Sequence, residues 1–131
     1  MKILIIEDEF LIAEGVSLTL ESAGHEVTGI AEDLPSALAL ARRHPPDMAF
    51  VDIKLANGSN GLDVARELKA LGIACVFATG NPPNKAQAGG VGLGYIAKPF
   101  SPRVLVQTAA YDGTLLATGA AAAAPNGFVI L

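Results

Sequence analysis

The sequence predicts an α/β protein in which helices cover both faces of a parallel β-sheet. Short apolar segments alternate along the chain with longer segments of helical periodicity, an alternation typical of βαβ units. Most of the short segments contain few polar residues, as expected for strands that are buried on both faces. The chain has 131 residues, of which 51% are hydrophobic and 17% charged, so we expect one folded domain and not a disordered chain.

Five strands are predicted. Four of them are apolar runs, and the second alternates polar and apolar residues. The first is rich in β-branched residues and ends where three acidic residues follow. The predicted strands cover Lys2–Ile6, Glu26–Ile30, Met48–Val51, Ile73–Ala78 and Tyr95–Ala97.

Helices are predicted between these strands from their apolar periodicity and their end signals, over 10–20, 33–41, 62–71 and 104–117. In the first helix, one apolar face is predicted, and Gly24 ends the segment. The residues of this face are Phe10, Leu11, Ala13, Gly15-Val16, Leu18 and Leu20. The second has a proline in its first turn, and the last follows the N-cap and proline of Ser101-Pro102.

Two segments depart from this regular pattern. Between Asn81-Pro82-Pro83 and the glycine-rich run 89–94, only Asn84–Ala88 is free to be helical, so the fourth helix is predicted to be reduced or missing. Residues 118–131 form an uncharged, low-complexity tail behind a predicted domain of residues 1–117. The tail ends in Phe128–Leu131, four apolar residues that either pack on the domain, pack on a second copy in a homodimer, or are frayed.

Composition excludes several classes of function. Net charge is −4, and eight of the 13 acidic residues lie in residues 1–33. The sequence has no basic patch, so direct DNA binding is not expected. No apolar run approaches the ~18 residues that span a membrane. The single cysteine, Cys75, excludes an intramolecular disulfide framework and favours a reducing, cytoplasmic location.

Polar residues stand at the carboxyl ends of four predicted strands. Glu7 and Asp8 follow the first strand, Asp52 follows the third, Thr79 ends the fourth and Lys98 follows the fifth. In a doubly wound parallel sheet, ligands bind at the carboxyl ends of the strands. The sequence therefore predicts that three carboxylates, a hydroxyl and an ammonium group form one site.

The chemistry of such a cluster is specific. Carboxylates that lie close together repel one another, and a hard divalent cation such as Mg²⁺ relieves this repulsion while also binding a phosphate. Lys98 can then serve as a point charge for a phosphoryl group and Thr79 as a hydroxyl donor. A carboxylate can itself be the nucleophile and form an aspartyl phosphate. Asp52 is the best candidate, because it stands alone after a central strand and leaves Glu7 and Asp8 to hold the metal.

Together with Tyr95 and Lys98-Pro99-Phe100, these residues resemble, in type and in order, the receiver domains of two-component response regulators. The resemblance covers residues 1 to about 117. It implies a flavodoxin-like, doubly wound sheet of five parallel strands in the order 2-1-3-4-5, as in CheY-like proteins. It also implies that Asp52 accepts a phosphoryl group from a histidine kinase or a histidine phosphotransfer protein, and that no enzyme activity exists beyond self-phosphorylation and autodephosphorylation.

The resemblance assigns the metal ligands residue by residue. Asp8 and Asp52 would bind Mg²⁺ directly, the backbone carbonyl of Lys54 would be a further ligand, and Glu7 would act mainly through water.

It assigns the remaining site residues to phosphoryl binding and switching. Thr79 and Lys98 would contact the phosphoryl oxygens, and Tyr95 would be the rotating aromatic residue that switches a protein-binding surface. The alternative for Tyr95 is a half-buried core residue. The Lys98–Pro99 peptide bond is expected to be cis, as in the family.

The segment Phe77-Ala78-Thr79-Gly80 resembles the FATGUY group of receivers, which are often stand-alone proteins with a reduced fourth helix. The Pro- and Gly-rich stretch 81–94 agrees with this group, whereas Asn81 stands near the position where the group has tyrosine. A stand-alone receiver with an unknown downstream protein partner is therefore expected.

Three alternative functions use similar architecture or chemistry. A flavodoxin needs a phosphate loop after the first strand, where Glu7-Asp8-Glu9 would repel phosphate. An aspartate-nucleophile phosphatase usually has an Asp-x-Asp pattern after that strand, which is absent. A phosphate sink without a downstream effector has the same sequence features as a signalling receiver.

Overall fold

The computed structural model describes residues 1–120 and 123–131, and over these residues six strands and five helices follow one another along the chain. The strands are β1 (Lys2–Ile6), β2 (Glu26–Ala31), β3 (Met48–Val51), β4 (Ala74–Thr79), β5 (Gly94–Ala97) and β6 (Phe128–Ile130). The helices are α1 (Phe10–Ser22), α2 (Leu34–Arg43), α3 (Gly61–Ala70), α4 (Lys85–Ala88) and α5 (Pro102–Thr118).

The strands form one sheet in the order β2-β1-β3-β4-β5-β6. The first five run parallel to one another, which confirms the predicted order 2-1-3-4-5. The sixth strand was not predicted. It pairs antiparallel with β5, so that the end of the tail packs on the domain and extends the sheet.

Two apolar layers cover the two faces of the sheet. Successive residues of a strand point to opposite faces, so Leu4 and Ile6 pack with α2 and α3, whereas Ile3 and Ile5 pack with α1 and α5. Cys75 is buried in the first layer and serves there as a core residue. This two-sided burial explains why the strands are apolar runs.

The predicted buried face of α1 was wrong in part: Ala13, Val16 and Leu20 are buried as predicted, but its three other large residues are not. Phe10, Leu11 and Leu18 are 70%, 83% and 64% exposed, while the buried residues of α1 are Ala13, Val16, Ser17 and Leu20. With 3.6 residues per turn, Leu11 and Ala13 lie about 200° apart around the helix and cannot share a face. The helix has apolar residues on both sides, and the side with the smaller residues packs on the sheet.

The fourth βα unit is reduced, as predicted. Helix α4 is a single turn, capped by reciprocal hydrogen bonds between Asn84 and Gln87. The Lys98–Pro99 bond that follows β5 is cis, as expected. Ser101 then caps α5 by accepting a hydrogen bond from the Val104 N–H at 3.2 Å. Among the described helices, none is both long and apolar enough to cross a membrane.

Candidate functional site

The strand ladders continue past the strand ends and place the predicted site residues at one edge of the sheet. The Asp52 N–H donates to the Ile6 carbonyl at 2.9 Å, which holds the end of β3 beside the end of β1. The Lys98 N–H donates to the Thr79 carbonyl at 2.9 Å, which does the same for β5 and β4. Glu7 directly follows Ile6, so the carboxyl ends of these four strands meet as the sequence predicted.

Lys98 joins the two buried carboxylates of this site. Its ammonium group donates to Asp52 Oδ2 at 2.8 Å and also to Glu7 Oε1. Glu7 is 5% and Asp52 7% exposed, and the second oxygen of Glu7 accepts from the Asp8 N–H at 3.1 Å. The side chain of Lys98 therefore crosses from β5 to the ends of β3 and β1.

Burial and the shared lysine shift the pKa values of the two carboxylates in opposite directions. Burial raises the pKa of Glu7 to about 7, although the hydrogen bond from Lys98 opposes this rise. Burial also acts to raise the pKa of Asp52, but the hydrogen bond from Lys98 and the other polar contacts hold it below its ordinary value. The same contacts with Asp52 and Glu7 raise the pKa of Lys98 against the effect of its burial. Asp52 is consequently ionised, and Lys98 charged, at neutral pH.

The donor set fits a hard divalent cation. Glu7, Asp8 and Asp52 each offer a carboxylate oxygen, and these oxygens all lie within 4.8 Å of one another. Asp8 is exposed, which leaves water access to the cluster. Three carboxylates exceed the single positive charge of Lys98, and Mg²⁺ takes carboxylate oxygens together with waters.

Lys54 also lies at this cluster. Its N–H points to Asp52 Oδ1 at 3.4 Å, and its backbone forms a bridge with Asn60 across the loop between β3 and α3. This bridge holds the Lys54 backbone beside the acidic cluster.

Thr79 and Tyr95 lie on the neighbouring strands. Thr79 is fully buried, pairs with Ala97 in the sheet, and its hydroxyl oxygen accepts from the Asn81 N–H at 3.1 Å. Tyr95 is half-buried, packs against the core layer beneath α2 and α3, and pairs with Val129 of β6. Thr79 thus stands next to Lys98, while Tyr95 stands at the sheet edge that β6 covers.

Gly61 is a residue of this site that the sequence analysis missed. A Cβ atom at this position would lie 2.0 Å from the Asp52 carbonyl oxygen and 2.6 Å from Ile53 Cα. The Gly61 N–H donates to the Ile53 carbonyl at 2.7 Å, so the start of α3 is held against the backbone of the candidate nucleophile. The turn composition of 57–61 indicated a loop but did not indicate this close approach.

Comparison with known proteins supports the same assignment. The family model described as response regulator receiver domain matches residues 3–110. The phosphate regulon transcriptional regulatory protein PhoB of Pseudomonas aeruginosa is 40% identical in an alignment 111 residues long, which covers 79% of this chain and 48% of PhoB. The phyllosphere-induced regulator PhyR of Methylorubrum extorquens is 38% identical in an alignment 104 residues long, which covers 77% of this chain and 39% of PhyR. The chain thus spans about half or less of the length of these relatives.

Solved structures share the fold. The CheY-like response regulator receiver domain protein of Methanospirillum hungatei superposes with a TM-score of 0.82 at 25% identity, covering 91% of this chain and 98% of that one. The response regulator PhyR of Brucella abortus superposes with a TM-score of 0.70 at 33% identity, over 90% of this chain and 52% of that one.

Proposed function

The chain belongs to the response regulator receiver domain family, and from this membership we propose that Asp52 accepts a phosphoryl group from a histidine kinase or a histidine phosphotransfer protein. The hydrogen bond of 2.8 Å between Lys98 Nζ and Asp52 Oδ2 is the observation that supports this proposal most directly. It places a cation of raised pKa against an ionised carboxylate at the edge of the sheet where ligands bind.

The proposed step is a phosphoryl transfer to a carboxylate. An Asp52 oxygen attacks the phosphorus of a phosphohistidine, the P–N bond of the donor breaks, and the electron pair of that bond leaves with the imidazole, which then takes a proton. An aspartyl phosphate remains on the chain. Lys98, already in contact with Asp52, and the neighbouring Thr79 hydroxyl would bind the phosphoryl oxygens.

Mg²⁺ is the proposed cofactor of this step. Asp8 and Asp52 would bind it directly, with the backbone carbonyl of Lys54 as a further ligand and Glu7 acting mainly through water. When bound, the ion supplies positive charge that balances the carboxylates and the incoming phosphoryl oxygens. The carboxylate oxygens that meet within 4.8 Å support this assignment.

The output of the proposed receiver is a change of a protein-binding surface. Thr79 is the last residue of β4, and Lys98 directly follows β5, the strand that contains Tyr95. A phosphoryl group bound by both residues would therefore act on the strand that carries the proposed aromatic switch. The downstream partner would be a protein. We place the phosphoryl transfer in the cytoplasm, in agreement with the single, buried cysteine.

The exposed side of α1 is the surface that we assign to the phosphodonor. Phe10, Leu11 and Leu18 are more than half exposed, and α1 begins two residues after Asp8. An apolar surface beside a polar site is typical of a protein contact. A donor seated there would have its phosphohistidine within reach of Asp52.

The first test is phosphorylation by acetyl phosphate, followed by intact-mass spectrometry and by sensitivity of the adduct to hydroxylamine. We expect one phosphoryl group on the wild-type chain with Mg²⁺, and none on Asp52→Asn. Asp63→Asn, an exposed acid on α3, is the matched control and should label normally. Labelling of Asp52→Asn at the wild-type level would contradict the proposal.

The second test concerns the metal. Titration with Mg²⁺, followed by amide NMR shifts, should report binding near Asp8 that weakens at least tenfold in Asp8→Asn. Glu9→Gln, the same type of change at the next residue, should leave the affinity unchanged. Equal affinities in the wild type and Asp8→Asn would remove Asp8 from the metal site.

The third test separates donor docking from chemistry. Leu11→Asp should slow transfer from a cognate histidine kinase at least tenfold and leave labelling by acetyl phosphate unchanged. Leu116→Asp, at an exposed leucine of α5, is the control and should keep both rates. The donor itself is to be found by profiling candidate histidine kinases from the same genome. Equal kinase rates for the two variants would exclude α1 as the docking surface.

A further inference from the structure

Strand β6 is seated on the edge of β5 in a defined antiparallel register. Gly94 pairs with Ile130, Tyr95 with Val129 and Ile96 with Phe128. The Leu131 N–H donates to the Leu93 carbonyl at 3.2 Å and continues the ladder. Without β6, this edge of the sheet would present unpaired backbone groups, which form a template for another strand.

Phe128 anchors the strand in a fitted space. Its side chain is 6% exposed, and its ring lies 5.6 Å from that of Tyr111 on α5. A Cβ atom at Gly94 would lie 2.4 Å from the Phe128 ring, so the absence of a side chain at Gly94 creates room for the aromatic group. The edge of β5 is therefore shaped for a strand with an aromatic residue opposite Ile96.

The seated strand leaves apolar surface uncovered. Val129 and Ile130 are 45% and 51% exposed although their backbone is paired. Strand β6 is therefore held mainly by its backbone pairing with β5 and by the side chain of Phe128. The seated segment itself shows which sequence fits the edge, and a second copy of the chain supplies that same sequence.

From these contacts we infer that the edge of β5 is a strand-docking site for β6 of a second copy, so that the chain can associate by strand exchange. Residues 119–127, which contain no charge, connect β6 to α5. The contacts of β6 described above are all with residues 93–111, so a strand from another copy can form them as well as the chain's own strand.

Mass action explains why the intramolecular arrangement prevails in a dilute chain. A short connection gives the chain's own β6 an effective concentration on the order of 1 mM, which a strand from another copy must exceed. Exchange is therefore best detected when intramolecular pairing is blocked while the two halves of the contact remain available on different chains.

Two full-length variants provide such a complementary pair. Gly94→Ala closes the acceptor edge and leaves β6 intact, whereas Phe128→Ala removes the anchor of β6 and leaves the edge intact. Unlabelled Gly94→Ala is titrated into ¹⁵N-labelled Phe128→Ala at several hundred micromolar. We expect saturable shifts of the amides of residues 94–97 and 111, because β6 of one variant docks on β5 of the other.

Gly15→Ala is the matched control for Gly94→Ala, since a Cβ atom at Gly15 would meet no atom of residues 1–120 and 123–131 within 4 Å apart from its own helix backbone. Its own β6 stays paired, so it should shift the same amides at least tenfold less at equal concentration. Equal shifts from Gly94→Ala and Gly15→Ala, or no shifts from either, would overturn the inference.

A peptide of residues 124–131 keeps the test decisive if Gly94→Ala fails to fold. The wild-type peptide should shift the same amides of Phe128→Ala, and a peptide with alanine in place of Phe128 should not. Identical responses to the two peptides, or none to either, would refute the strand-docking site.

Discussion

Asp112 is a buried carboxylate of α5, and its replacement by asparagine is predicted to change how stability depends on pH. Its side chain lies on the buried face of α5 and is fully inaccessible to solvent. Within the described residues, neither of its oxygens has a hydrogen-bond partner, and the same is true of the Thr108 hydroxyl one turn earlier. Burial raises the pKa of Asp112 from 3.8 to about 7.

The sign and size of the effect follow from this shift. The folded chain holds the Asp112 proton more tightly than the unfolded chain, so the free energy of unfolding falls as the pH rises from about 4 to about 7, and is level above that. One pH unit within this window corresponds to about 1.4 kcal/mol. Between pH 5 and pH 8, Asp112 should therefore cost about 3 kcal/mol, a large share of the 5–15 kcal/mol typical of a folded domain.

Urea unfolding of the wild type and Asp112→Asn at pH 5 and pH 8, at constant ionic strength, measures this cost. Asparagine has the shape of the carboxyl group and does not titrate, so the stability of the variant relative to the wild type should rise by about 3 kcal/mol between the two pH values. Other titrating groups, including Glu7, contribute equally to both proteins and cancel in this comparison. A relative stability that is the same at pH 5 and pH 8 would refute the claim that Asp112 is buried without compensation.

Three further predictions follow from the geometry. Gly61→Ala should lower the free energy of unfolding by about 1–3 kcal/mol because its Cβ atom meets the Asp52 backbone, whereas Gly15→Ala, in an open helical position, should raise it by up to ~1 kcal/mol in the same urea titration. Lys98→Ala should lower the melting temperature in EDTA, since two buried carboxylates lose the ammonium group that pairs with them. Mg²⁺ should then raise the melting temperature of this variant more than that of the wild type. Equal increases for the two proteins in scanning fluorimetry would contradict this. Burial raises the pKa of the Cys75 thiol to about 12, so a thiol reagent should modify it only at the rate of unfolding, and rapid labelling of the folded chain would be inconsistent with this burial.

Local patterns in the sequence determined the order of the elements and the composition of the site. Apolar runs such as Met48–Val51 predicted strands because burial on both faces of a parallel sheet excludes polar residues. The prolines and glycines of 81–94 predicted a reduced α4 because they leave too few residues for a longer helix. The polar residues that follow the strands predicted a common site because parallel strands end at the same edge.

Tertiary structure decided the features that depend on residues far apart in the chain. The apolar periodicity of α1 did not show which side packs on the sheet, because apolar residues occur on both sides and only the contact with the core selects Leu20 over Leu18. The need for glycine at position 61 arises only in the folded chain, because the loop between β3 and α3 brings Gly61 against the backbone of Asp52. The apolar end of the tail, Phe128–Leu131, left three placements open in the sequence. It packs on the domain because β5, some 30 residues earlier, has an edge to pair with and Gly94 leaves room for the Phe128 ring. Such contacts depend on the shape and the unpaired hydrogen bonds of an assembled sheet, which do not exist until the strands have come together.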